Sequence, residues 1–105
     1  MTWFVYILVC RGNRLYTGVT TDIERRYVQH LNGKGARYTR AFPPERILIR
    51  WLCNDQRVAL RVEYAIKQLT TAQKWALVAE SSSLGEELRC IDGIWTEVKL
   101  KELKV

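Results

Sequence analysis

The stretch WFVYILVC RGN RLYTGVT, residues 3–20, decides how this chain begins to fold. Trp3 to Cys10 is β-branched and aromatic, and Arg14 to Thr20 has the same character. Gly12-Asn13 between them are residues that accept positive φ. The pattern predicts a β-hairpin. Its register is open between two forms, because side chains alternate faces along a strand. A strictly two-residue loop pairs position 9 with 16 and turns Tyr6 and Tyr16 to opposite faces. A three-residue loop, 11–13, pairs 8 with 16 and puts both tyrosines on one face.

Outward from the hairpin, Thr21 or Asp22 can cap a helix in which Ile23, Tyr27, Val28 and Leu31 recur at helical spacing up to a stop at Asn32-Gly33. Those four are expected on the core side, with Arg26 and His30 sharing another face one turn apart. Residues 33–44 (GKGARYTRAFPP) combine glycines, prolines and basic residues and read as an exposed loop. Arg46 to Cys53 is an apolar strand. Asn54-Asp55 then caps a helix with Val58, Val62, Ile66 and Leu69 as its buried stripe. Thr70-Thr71 breaks and recaps the chain before a helix from about Ala72 to Glu80. Ser81 to Gly85 has linker composition. Residues 86–105 hold a weak helical stretch (Glu86 to Cys90), a turn at Asp92-Gly93 and a Lys/Glu-alternating end. The order strand, strand, helix, strand, helix, helix implies an α/β (α+β) fold, a three-stranded mainly antiparallel sheet flanked by helices. Residues 1–80 form the domain and 81–105 a C-terminal extension, weakly structured or packed on it.

Composition narrows the class. With 105 residues and 48% hydrophobic content the chain is sized for one core and too apolar for a disordered segment. No apolar run reaches the roughly 18–20 residues that a membrane-spanning helix needs. Cys10, Cys53 and Cys90 are odd in number and form no C-x-x-C pair, which argues against a disulfide framework or zinc knuckle and for buried thiols in a reducing cytoplasm. Residues 1–75 hold 13 Lys or Arg against five acids, whereas residues 76–105 hold four against six. The net +6 is thus an excess carried by the first three-quarters, and it points to a polyanionic partner.

One constellation adds chemistry to that frame. Val5-Tyr6-Ile7 on the first strand, Tyr16-Thr17-Gly18 on the second, then Arg26, His30 and Glu63, the last within ALRVEYAIKQL, resemble the GIY-YIG nuclease family. The likeness runs from residue 2 to about 80. HLNGKGARYTR is similar to the small stand-alone bacterial branch of that family. Phe4 and Thr17 stand where the family name has Gly and Ile, Val19 where several relatives carry Lys, and no Asn follows Asn54, although some relatives have one after the glutamate helix. Activation of the nucleophile is therefore what the resemblance carries over least.

The resemblance implies a metal-dependent endonuclease that hydrolyses a phosphodiester of DNA, DNA ahead of RNA, in a setting of repair or recombination. Such cleavage needs a base for water, positive charge on the phosphoryl oxygens and help for the leaving oxygen. Glu63 is the expected ligand of Mg²⁺ (or Mn²⁺), an ion often held by only one or two carboxylates with waters and substrate phosphate. Arg26 would grip the phosphoryl oxygens. Tyr16 and His30 would position or activate water, and Tyr6 would hydrogen-bond into the same site. Both tyrosines must then share a face, which favours an odd loop or a bulge. An unperturbed phenol titrates near pH ~10, so Tyr16 as base needs nearby positive charge; His30 is the alternative. Gly18 would admit the nucleic-acid backbone, and Lys34, Arg37, Arg40, Lys67 and Lys74 would grip phosphates without reading sequence. Glu63 with Lys67 also fits an ordinary i, i+4 ion pair. Two other readings remain: a non-catalytic nucleic-acid-binding module, and an interaction domain whose acidic tail covers the basic face.

Overall fold

A computed structural model describes residues 2–82. The chain runs β1 (Trp3–Cys10), β2 (Arg14–Thr20), α1 (Ile23–Leu31), α2 (Arg37–Ala41), β3 (Pro44–Cys53), α3 (Gln56–Lys67) and α4 (Thr71–Ser82). The sheet has the order β2-β1-β3 and both pairings are antiparallel. The hairpin has the three-residue loop. Cys10 pairs with Arg14 and Leu8 with Tyr16, while Gly12 and Asn13 both take positive φ, 79° and 59°. Tyr6 and Tyr16 consequently lie on the same face of the sheet.

Helices cover both faces. On one, Val5, Ile7 and Val9 of β1 join Ile49, Trp51 and Cys53 of β3 under Ala59, Val62 and Ile66 of α3 and Leu77 and Val78 of α4. Complete burial of Val62 and Ile66 stabilises the domain by roughly 1.5–3 kcal/mol each. The exposed Arg50–Glu24 ion pair at 3.1 Å adds at most about 1 kcal/mol, so packing dominates. On the other face Tyr6, Leu8, Cys10 and Ile23 form a smaller cluster with Tyr16, Tyr27, Phe42 and Ile47 around it. Strand β3 can serve both clusters because it bulges: Ile7 pairs with Ile49 but Leu8 with Ile47, and the extra residue sends Ile47 and Ile49 to opposite faces.

The helix signals act as expected at the ends. Asp22 accepts the Arg25 N–H at 3.1 Å and Asp55 the Val58 N–H at 2.9 Å. Thr70 and Gln73 form a reciprocal capping box: Thr70 N–H donates to Gln73 Oε1, and Gln73 N–H to Thr70 Oγ1. Helix α1 stops at Leu31, with Asn32 as its C-cap and Gly33 at φ 73°. Cys10 and Cys53 are buried. Among the described residues no helix is long and apolar enough to cross a membrane.

Three expectations change. Val28 and Leu31 of α1 are half exposed, while His30 is buried at 1% exposure. The helix is rotated so that the imidazole, not the aliphatic stripe, faces the sheet. Residues 33–44 are not a bare loop either: they contain the one-turn helix α2, whose Thr39 is buried, and Pro44 already belongs to β3. Helix α4 continues through Ser81 and Ser82, where a linker was expected. The rest of that linker, Cys90, the helical stretch Glu86–Cys90 and the turn at Asp92-Gly93 lie outside the described residues.

Gly18 stands opposite Tyr6 in the ladder, and the Tyr6 ring lies across it. A Cβ there would sit 2.5 Å from Tyr6 Oη and 2.6 Å from Cζ. Tyr6 is buried and has nowhere to retreat. Gly18→Ala is expected to cost about 1–3 kcal/mol in urea unfolding, with the ring-proton shifts of Tyr6 displaced.

Candidate active site

The face carrying α1 and α2 gathers Tyr16, Arg26 and His30 of the sequence-predicted residues around Tyr6. Its hydroxyl lies 3.0 Å from Nε2 of His30. The Tyr16 ring meets the His30 ring edge-on, with centroids 5.1 Å apart, and lies 6.4 Å from Tyr6. Tyr38 stacks on Tyr16 at 6.0 Å, Phe42 follows at 5.2 Å, and the Arg14 guanidinium caps Phe42 at 4.1 Å. Hairpin register and helix α2 together build this ladder, which leaves Tyr16 half-buried and Tyr38 exposed at its edge.

Arg26 sits one turn before His30 on α1 and is half-buried. It donates to Gln29 Oε1 at 3.0 Å, and its positive charge acts on the Tyr6 phenol, favouring the ionised form. An open polar cleft beside it is lined by Thr20, Thr21, Asp22, Arg25, Arg26 and Gln29. Lys34, Arg37 and Arg40 lie exposed between α1 and β3.

Burial sets the electrostatics. Loss of hydration pushes the Tyr6 phenol up to about 12; Tyr16 and Glu63 push the same way, and Arg26 opposes them. At neutral pH Tyr6 is a hydrogen-bonding group and not a base. Burial, reinforced by the Arg26 charge, lowers His30 to about 4. Its Nδ1 lies 2.7 Å from Thr39 Oγ1, so both ring nitrogens are already engaged. In this arrangement His30 is bound to Tyr6 and Thr39.

Glu63 projects from α3 with its side chain 18% exposed and pairs with Lys67 at 3.4 Å. The ion pair foreseen at i, i+4 does form, and Lys67 is drawn to Glu63. The charge of Glu63 has the smallest influence on the Tyr6 phenol, and its helix packs on the face of the sheet opposite to α1. Burial, with Lys67 second, lowers the neighbouring Lys74. Among the described residues no three His, Cys, Asp or Glu side chains gather into a metal cage. The space above Gly18, expected to admit nucleic acid, is taken by Tyr6.

Sequence reasoning missed Thr39, Gly35 and Tyr38. Gly35 is needed because a Cβ there would overlap the His30 ring. The available signal was the second nitrogen of the imidazole: a buried ring needs two partners, and a hydroxyl nine residues away in a Gly-rich turn is a natural one.

Comparison with known proteins fits this geometry. Residues 2–76 match the GIY-YIG catalytic domain. The chain belongs to the GIY-YIG family. It is 48% identical over 86 residues to the UPF0213 protein YhbQ of Escherichia coli O139:H28, covering 82% of this chain and 86% of that protein. It is 45% identical over 78 residues to the UPF0213 protein H16_B0156 of Cupriavidus necator, covering 74% and 85%. The solution NMR structure of UPF0213 protein BH0048 from Bacillus halodurans superposes with a TM-score of 0.51 at 43% identity, covering 75% of this chain and 84% of that one. GIY-YIG domains form a nuclease family that acts on nucleic acid, and the UPF0213 names specify no particular activity. In GIY-YIG terms the tyrosines of both motifs, Arg26 and His30 meet on one face, and Gly18 of the second motif makes room for Tyr6 of the first.

The buried imidazole also makes the fold acid-sensitive. His30 binds its proton near pH 4 when folded and near 6.5 when unfolded, so the unfolded chain takes up more protons between those values. Stability is expected to fall by up to about 3 kcal/mol as pH drops from 6.5 to 4. Urea midpoints across that window check it, with His30→Gln removing this component.

Proposed function

We propose that this protein is a metal-dependent endonuclease that hydrolyses a phosphodiester bond of DNA. The observation supporting this most is the convergence of Tyr6, Tyr16, Arg26 and His30, far apart in sequence, beside a face edged with exposed Lys34, Arg37 and Arg40. Each has a task its surroundings suit. Arg26 grips the phosphoryl oxygens with its planar fork while charge builds on them. Tyr16, half-buried at the edge of the ladder, orients the attacking water. His30 and Tyr6 stay neutral and fix the positions around them. The exposed Lys and Arg side chains bind phosphates and position the strand without reading bases.

Glu63 would hold the divalent cation. A single carboxylate suits Mg²⁺ (or Mn²⁺), which retains waters and takes ligands from substrate phosphate, and does not suit a zinc site, which needs at least three protein ligands. When bound, the ion supplies positive charge to the phosphoryl and leaving oxygens. To hold the ion, Glu63 would exchange its 3.4 Å contact with Lys67 for it, and Lys67 would then be available for phosphate.

The same Glu63–Lys67 pair favours a second reading, in which the carboxylate is merely neutralised and the domain binds nucleic acid without cutting it. Incubation of labelled single strand, duplex, flap and four-way-junction DNA with Mg²⁺, Mn²⁺ or EDTA separates the two. The nuclease reading expects metal-dependent cleavage of at least one structure. Glu63→Gln abolishes that cleavage and Arg26→Ala lowers it about 100- to 1,000-fold. Binding without cleavage under every condition supports the second reading. In either case, replacing Arg37 and Arg40 by Ala is expected to flatten the dependence of log affinity on log salt by about one unit per side chain.

A further inference from the structure

The hydrogen bonds behind Tyr6 have a direction that the heavy atoms settle. Thr39 Oγ1 lies 2.9 Å from the Ala36 carbonyl oxygen, which can only accept. Two oxygens at that separation with no hydrogen between them repel, so the hydroxyl hydrogen of Thr39 lies there. The carbonyl's other lone pair accepts the Arg40 N–H at 3.2 Å. Thr39 Oγ1 has then spent its one hydrogen and must receive one from His30 Nδ1, 2.7 Å away. A neutral imidazole with its hydrogen on Nδ1 carries a lone pair on Nε2. Tyr6, 3.0 Å from that atom, is therefore the donor.

We infer that Thr39 is a positioning residue: it holds His30 in the Nδ1–H tautomer and so forces the Tyr6 hydroxyl to point its hydrogen inward. The oxygen lone pairs of Tyr6 are left for Arg26, whose charge acts on this phenol. Tyr6 thus accepts hydrogen bonds from the guanidinium or from water and does not offer a hydrogen to the substrate. With the opposite tautomer, Nε2–H would take a Tyr6 lone pair and turn the phenolic hydrogen toward the phosphate, where it would compete with Arg26. Three features support this arrangement. Helix α2 is a single turn, yet Thr39 is its one buried residue at 1% exposure. Gly35 lacks the Cβ that would collide with the imidazole. The Ala36 carbonyl ties the Thr39 hydroxyl to the α2 N-cap.

The consequence for cleavage rests on the proposed nuclease reading, but the tautomer does not, and the test keeps them apart. His30 is the sole histidine in the chain, so ¹⁵N-labelled histidine gives one pair of ring signals. At pH 7 the wild-type protein is expected to show a protonated, pyrrole-type Nδ1 and a pyridine-type Nε2. Thr39→Ser should keep that pattern. Thr39→Val, nearly isosteric but without the hydroxyl, should lose it to a mixture or to Nε2–H, with far-UV circular dichroism reporting that the fold is retained. In the cleavage assay Thr39→Val should lower kcat about 10-fold or more with KM unchanged, and Thr39→Ser should recover it. A wild-type Nε2–H or doubly protonated ring overturns the inference, even if Thr39→Val fails to fold. So does a Thr39→Val protein with an unchanged tautomer, or with a changed tautomer and undiminished kcat. An inactive wild-type protein would count against the nuclease reading, and the ring signals would still decide the role of Thr39.

Discussion

The 3.0 Å contact between Tyr6 and His30 is the constraint on which the rest of this face depends. A buried imidazole is tolerable only when both nitrogens have partners, and leaving one unpaired costs about 1–3 kcal/mol. One partner comes from β1 and the other from the one-turn helix α2. The demand of a single ring therefore ties the middle of the sheet to the segment after α1. It also sets the rotation of α1, puts Arg26 one turn away beside the same hydroxyl, and requires glycine at positions 18 and 35, where a Cβ would strike the two rings.

That constraint explains what the sequence showed and what it concealed. The hairpin, the caps at Asp22 and Asp55, the break and recap at Thr70-Thr71 and the succession of the longer elements were readable, because turn chemistry and capping act over a few residues. The faces of α3 followed its apolar spacing, with Val62 and Ile66 inward. On α1 the same logic misled. Hydrophobic periodicity predicts Val28 and Leu31 inside, yet a hydrogen-bonded His30 displaces them, and their partial exposure of 52% and 50% is the result. Pattern counting has no term for a polar group whose partners lie on other elements. Likewise RYTRA is too short for a helical period, so Thr39 looked like one more loop residue, and the two bulges in β3 left no mark on an apolar run.

The candidate site was legible as a set of residues but not as a division of labour. Tyr6, Tyr16, Arg26, His30 and Glu63 stood out by spacing and by resemblance. Their environments differ in ways that spacing does not carry. Burial pushes Tyr6 up and His30 down, so both are neutral at pH 7, and Tyr16 is the more accessible phenol of the two motifs. Glu63 stands on the helix packed on the other side of the sheet and is paired with Lys67. The candidate face thus combines a neutral buried frame with a charged rim, and Arg26 lies between them.

The most direct test of that assignment is to locate nucleic acid on the protein without requiring cleavage. A short DNA titrated into ¹⁵N-labelled protein in EDTA, followed by NMR, should shift the amides of Tyr16, Arg26, Lys34, Arg37 and Arg40, with the outer surface of α4 unmoved. Shifts centred on α4, or no shifts at any concentration at low salt, would contradict the placement of the functional face on α1 and α2.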